Sequence, residues 1–487
     1  MSPQLVVTVI FVYFSVLILI SFLTSRTTDS STFFTGNRQS PWYLVAFGMI
    51  GASLSGVTFI SVPGWVASTQ FGYMQMVLGY LVGYAFIGLI LMPLYYRLNL
   101  ISIYQYLEDR FGFWSYKTGA FFFLISRIVG ASFRLFLVAG VLQIAIFDAW
   151  EISFHVTVAI TIGLIWLYTF RGGIKTIVWT DTLQTLFMLL AVVIVIKNIN
   201  TELDMGFAQM VTSVKESSFS QVFFWDWNES SLFIKQFLSG AFIAIVMTGL
   251  DQDMMQKNLT CKNIGEAQKN MFWFSIVLVV VNLLFLCLGA MLYIYSQSKG
   301  IPIPERSDDL FPVLALQHFD VFTGIVFLLG IIAAAYSSAD SALTSLTTSF
   351  CVDFLNFQRE ETLENVKSQR NLRLLIHLGF SIILFAVIII FKSLNNDAVI
   401  SSVFKAAGYT YGPLLGLYTF GLFTNFKLRD WAVPIVCILS PAISYYLNLN
   451  SEQFFNGYKF GFEILVVNGG LTFLGLLLLI KKERATL

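Results

Sequence analysis

Thirteen apolar stretches, each about long enough to cross a bilayer, constrain the fold of this chain more than any other feature. They lie near 4–24, 42–68, 73–98, 116–147, 154–170, 176–198, 233–252, 272–297, 320–353, 373–392, 398–424, 431–447 and 463–480. A helix needs roughly 20 apolar residues to span the hydrocarbon layer. Backbone polar groups in hydrocarbon must be bonded within their own segment, so such stretches become helices. With 57% apolar residues, 12% charged residues and a mean hydropathy of +0.76, the chain reads as an all-α polytopic membrane protein of about 13 transmembrane helices. The first stretch has no small-residue cleavage site and is long enough to span, so it is expected to be a helix and not a signal peptide. The longest segments between spans, near 199–232 and 298–319, are too short for a folded domain. Residues 1–487 are therefore expected to form a single transmembrane unit in a plasma or bacterial inner membrane, with the lipid bilayer as its surroundings.

An odd number of spans puts the termini on opposite sides. With the N-terminus outside, the inner loops hold nineteen of the 29 Lys and Arg residues and the outer loops hold seven; Arg127, Arg134 and Lys405 fall inside helices. That asymmetry predicts an outside N-terminus and an inside C-terminus. A net charge of +1 gives no reason to expect a nucleic-acid partner, and Cys261, Cys287, Cys351 and Cys437 have no metal or disulfide spacing. His155, His318 and His377 stand alone and read as structural. With no nucleophile–base pair, phosphate loop or metal-ligand cluster, the chain is not expected to be an enzyme. The tail beyond residue 480 is KKERATL, so no signalling module is expected there.

Polar residues interrupt the apolar pattern at four places. IIAAAYSSADSALTSLTTSF at 331–350 sets Ser337, Asp340 and Ser341 at i, i+3 and i+4, on one helical face. An intramembrane carboxylate is costly and marks an ion or substrate pathway; serines alone would be explained by close helix packing. The stretch 42–68 carries Gly48, Gly51, Gly56, Pro63 and Gly64 around Ser53, Ser55 and Thr58. A break near Gly51–Gly56 would free carbonyls for a ligand; a packing face of small residues is the alternative. In GGIKTIVWTDTLQ, Asp181 lies one to two turns inside an apolar helix. If Asp181 approaches Asp340, a cation or a proton must sit between them; otherwise Asp181 is hydrated at the inner interface and caps its own helix. Arg127 and Arg134, seven residues apart, share a face and could bind a carboxylate bidentately, pair with an acid, or snorkel. Lys405, near Gly408, Gly412 and Pro413, suggests another bent helix beside a cavity.

Four motifs in order, GASLSGVTFISVPG, GGIKTIVWTDTLQ, GLDQDMMQKNLT and AAAYSSADSALTSLTTSF, resemble the sodium/solute symporter family, with similarity to its sialic acid carriers. The resemblance implies a LeuT-type fold of five helices followed by five in inverted topology, here about 42–198 and 233–424. The 4–24 helix would precede the repeats and two helices, 431–480, would follow. It also implies sodium-coupled import of a small polar organic solute, a sugar, sugar acid or carboxylate, by alternating access. Proton coupling on the same fold is the alternative, and a solute sensor without transport is a third. By the same resemblance a first sodium would be held by carbonyls of Gly51, Leu54 and Ala334 and hydroxyls of Ser337 and Ser338. A second would lie among Asp181, Ser337, Asp340 and Ser341, where the sialic acid carriers have serine at the position of Asp340. Substrate would meet Ser53, Ser55 and Thr58, with its carboxylate on Arg134 in an ungapped alignment and on Arg127 if a loop gap intervenes. A glutamine that those carriers contribute from the next helix is replaced, near Gly79, by a small residue, which speaks against sialic acid itself.

Overall fold

The computed structural model describes residues 3–24, 40–98, 100, 102–169, 174–355, 357, 363–394 and 398–481, and at some of these, Ser337 and Asp340 among them, the backbone alone. Among the described residues the secondary structure is helical, with no strand. Each of the thirteen apolar stretches contains a helix. They are α1 (Pro3–Thr24), the pair α2 (Trp42–Ser53) and α3 (Gly56–Thr69), α4 (Tyr73–Arg97), α5 (Phe113–Trp150), α6 (Phe154–Thr169) and α7 (Ile174–Glu202). The pair α8 (Phe233–Gly249) and α9 (Gln252–Asn258) follows, then α10 (Ile264–Lys299), α11 (Val321–Phe354), α12 (Leu363–Leu394), α13 (Val399–Thr410), α14 (Gly412–Phe423), α15 (Asp430–Leu449) and α16 (Ile464–Leu477).

Two spans are broken. The axis bends by 54° between α2 and α3 and by 72° between α8 and α9. At the first break Leu54 ends α2, its N–H bonded to Ile50 O at 2.8 Å, and Ser55 turns out of helical geometry with ψ 174°. Gly56 restarts the helix against α11, where a β-carbon on it would lie 3.3 Å from Ile331 and 3.6 Å from Ala335. At the second break Asp251 is extended (φ −105°, ψ 121°), and its carboxylate accepts from the N–H groups of Asp253 and Met254, capping α9.

α4 and α8 pack with their backbones in contact. A β-carbon on Gly79 would stand 2.0 Å from Phe237 O, and one on Gly240 would stand 2.0 Å from Met76 O. Only glycine permits that approach. α7 lies against both α2 and α11, so Asp181 and the first break share one neighbourhood. The span expected at 398–424 is two helices, because Tyr411 interrupts it and the second helix starts at Gly412 and Pro413.

Candidate functional site

A cavity of about 730 Å³ opens beside the first break. Ser53, Ser55 and Thr58 line it, as expected of them, and so do Arg127 and Arg134 from α5. Tyr73, Tyr80 and Tyr84 line it from α4, with Tyr73 and Tyr80 hydroxyls 3.1 Å apart. Thr248 and Asn282 come from α8 and α10. Gly79 faces the backbone of α8 and not the cavity, so the side chains that α4 offers a solute are tyrosines. On one side Tyr73 stacks on Phe404 at 6.1 Å, and Phe462 meets Phe404 edge-on at 5.3 Å. These rings, with Trp65 6.1 Å from Tyr73, close the cavity there.

The two arginines have different surroundings. Arg127 is buried and bonds Asp253 Oδ2 at 2.5 Å, with Asp251 Oδ2 at 3.7 Å. Asp251 also accepts from Tyr411 Oη at 2.8 Å, and Asp253 Oδ1 accepts from Ser341 Oγ at 2.8 Å. Arg134 is half-buried at the cavity wall, and among the described residues no carboxylate reaches it. The alternatives open for the pair are thereby separated: Arg127 pairs with acids and Arg134 faces open space.

Asp181 is fully buried and its Oδ2 lies 2.9 Å from Lys257 Nζ, itself buried. Its carboxylate is therefore buried and paired, and the cation beside it is an ammonium from α9. Sequence reasoning had not connected these residues, which are 76 apart. Asp251, Asp253 and Lys257 were likewise missed as a unit. The signal available was three charges within seven residues of an apolar span that also carries a Gly-Leu-Asp helix-capping pattern.

The two breaks treat their freed carbonyls differently. Tyr95 Oη donates to Gly249 O at 2.9 Å and Tyr104 Oη to Leu250 O at 3.0 Å, so the second break is closed by phenols. Among the described residues no donor takes the carbonyls of Gly51 or Leu54. Gly51 is wedged on α7, where a β-carbon would meet Thr185 Oγ1 at 2.0 Å. Ser338 Oγ lies 3.4 Å from Ala334 O and donates to Ala335 O at 3.2 Å, so Ala334 and Ser338 present adjacent oxygens on α11. The side chains of Ser337 and Asp340 lie outside the described ones. Lys405 is exposed and does not line the cavity. Of the isolated histidines, His377 contacts Thr347 Oγ1 at 3.0 Å and packs edge-on against Trp166.

Between α10 and α11, the loop before α11 packs on the C-terminal half of α3. A β-carbon on Gly64 would strike Ser307 O at 2.3 Å, and Asp308 Oδ2 accepts from Val399 N–H at 2.8 Å, tying the loop to the start of α13. Burial pushes the Asp308 carboxyl up to about 6.

Comparison with known proteins agrees with this arrangement. The chain is 24% identical over 458 residues to the sodium/sialic acid symporter NanT of Aliivibrio fischeri, covering 92% of this chain and 88% of that protein. It is 23% identical to the sodium/sialic acid symporter SiaT of Proteus mirabilis, covering 86% and 84%. A solved structure of a Na+-coupled sialic acid symporter in a substrate-bound outward-open state superposes with a TM-score of 0.81 at 19% identity, over 98% of this chain and 99% of that one. The fold is thus of the LeuT type. Residues 33–426 match the sodium:solute symporter family, and the chain, a membrane transporter that couples sodium to a small organic solute, belongs to that family.

Proposed function

We propose that the solute carried is a hydroxylated carboxylic acid, bound in the cavity beside the first break with its carboxylate on Arg134. The observation that carries this reading is the contrast between the arginines: Arg127 is neutralised by Asp253 and Asp251, whereas Arg134 meets the cavity with no acid partner among the described residues. A guanidinium at a cavity wall with no acid partner among the described residues favours an anion and offers it two parallel N–H donors. Ser53, Ser55, Thr58 and the tyrosines of α4 supply hydroxyls for a polyol. The relatives' sialic acid, a sugar acid, has this chemistry. The tyrosine wall in place of a glutamine supports a sugar acid or smaller hydroxy acid as a class more than sialic acid in particular.

The first sodium is assigned to the carbonyls of Gly51, Leu54 and Ala334 with the hydroxyls of Ser337 and Ser338. Carbonyls at the break that meet no donor among the described residues, and the adjacent oxygens of Ala334 and Ser338, support it. The second is assigned among Asp181, Ser337, Asp340 and Ser341. Ser341 donates its proton to Asp253, which leaves its oxygen lone pairs for a cation, while Asp181 becomes a ligand when Lys257 withdraws from it. The repeats span 42–198 and 233–424, each beginning with a broken span, and the N-terminus lies outside. Sodium and solute are coupled because each stabilises the conformation the other needs.

The test is a thermal shift of the purified protein with sugars, sugar acids, amino acids and monocarboxylates, in sodium and then in choline at equal ionic strength. A ligand raises the transition by mass action when it prefers the folded state. A hydroxylated acid that stabilises only in sodium is the expected result. Stabilisation by neutral sugars alone would overturn the anion assignment, and stabilisation indifferent to sodium would point to proton coupling.

A further inference from the structure

The central cavity does not end at Arg134. A second, smaller and partly open cavity adjoins it, and the two share Arg127, Arg134, Met247 and Val403 in their walls. The rest of the second chamber comes from Ser126 and Gly130 on α5 and from Ala406 and Thr410 on α13, helices that pack against each other at this level. Its inner end is bounded by Tyr411, which is held in place by its bond to Asp251. There is open space beside Gly130, where a β-carbon would meet nothing within 4 Å. Arg127 is committed to its two acids, so the guanidinium left at the junction is that of Arg134.

An anion held at a junction has room on both sides of its charge. We propose that the chamber between α5 and α13 is a second subsite, receiving a substituent on the carboxyl-bearing carbon, so that the solute is a carboxylic acid bulky on both sides of its carboxylate. This inference rests on the assignment of the carboxylate to Arg134. The chamber's chemistry suits a hydroxyalkyl arm. Ser126 and Thr410 donate their protons to Phe122 O and Ala406 O and so offer acceptors, while Gly130 and Ala406 offer only small apolar surface. Met247, at the mouth, is flexible enough to accommodate arms of different shape.

Two acids and three substitutions test it on the full-length protein in sodium. N-acetylneuraminate is branched at the carboxyl-bearing carbon; propionate is not. The wild type is expected to bind N-acetylneuraminate more tightly. Gly130→Leu, from α5, and Ala406→Leu, from the facing helix, should each lower the affinity ratio of N-acetylneuraminate to propionate at least about tenfold, the scale on which a pocket reads a few methylenes. Arg134→Gln should weaken both acids. Tighter propionate binding by the wild type, or leucine variants that weaken both acids alike or neither, would overturn the side chamber while leaving the carboxylate assignment intact. Acids that do not bind, or that ignore Arg134→Gln, would sink the assignment and the side chamber together. Two leucines on separate helices guard against a variant that misfolds.

Discussion

The two broken spans solve the same backbone problem in opposite ways. Between α8 and α9 the freed carbonyls of Gly249 and Leu250 are taken by Tyr95 and Tyr104, the half-helix is capped by Asp251, and charges of both signs lock it to α5 and α7. Between α2 and α3 there is no charge, and the carbonyls of Gly51 and Leu54 meet no donor among the described residues. A break whose polar groups are all satisfied by side chains is a structural joint. A break whose carbonyls are left over is a place for a cation, since orphaned backbone groups in a dry environment cost free energy until something binds them. The comparison favours the uncharged break as the proposed cation site, while the charges hold its counterpart in shape.

If that division is right, damage at the second break should appear in stability and damage at the first in affinity. The largest effect is expected from Lys257→Met, which leaves the buried Asp181 carboxylate without its ammonium. Removing one partner of a buried pair costs roughly 3–5 kcal/mol, so thermal unfolding of the purified protein should fall steeply. Adding Asp181→Asn to that variant should restore much of the loss; a double variant no better than the single would break the comparison. Next comes Arg134→Gln, expected to weaken acid binding about 10–100-fold, the worth of a charge-assisted hydrogen bond, with the unfolding temperature of the unliganded protein little changed. Ser337→Ala should raise the sodium needed for half-maximal uptake by about tenfold, one hydroxyl ligand being worth on the order of 1.4 kcal/mol. Uptake with unchanged sodium dependence would remove the cation from the first break.

The smallest effect lies outside both breaks and sharpens the contrast by serving as a reference. The buried Asp308 carboxyl has its usual value of 3.8 pushed up to about 6. The folded loop thus holds the proton more tightly than the unfolded chain, and the stability this contributes is present below pH 4 and lost as pH rises through about 6. Asp308→Asn should flatten the pH dependence of unfolding across that window. A dependence that survives the substitution would assign it to other groups.

Much of this was legible in the sequence because apolar length and small polar insertions are local signals. Each of the thirteen apolar stretches contains a helix, and Ser53, Ser55, Thr58 and Arg134, singled out through the family resemblance, line the cavity. What could not be read locally was pairing. Asp181 left a cation, a proton or hydration open, because nothing in its own helix reveals an ammonium 76 residues away. The charges of GLDQDMMQKNLT stood only as part of a family motif, since burial by α5 and α7 leaves no mark on periodicity. Tyr73, Tyr80 and Tyr84 resemble core aromatics on an apolar helix, and only the volume beside them distinguishes a cavity wall from packing.

The glycine contact between α4 and α8 carries a last consequence. Gly79 and Gly240 bring the two backbones together so closely that sliding one helix along the other would press side chains into backbone. Tyr80, Tyr84 and Thr248, which these helices present to the cavity, therefore form a single rigid template. A solute arriving from outside and one departing inward are measured against the same wall, so this face of the site imposes its preference equally in both directions of travel. Directionality must then be written elsewhere, in the parts that move relative to this slab and in the ion gradient that drives them.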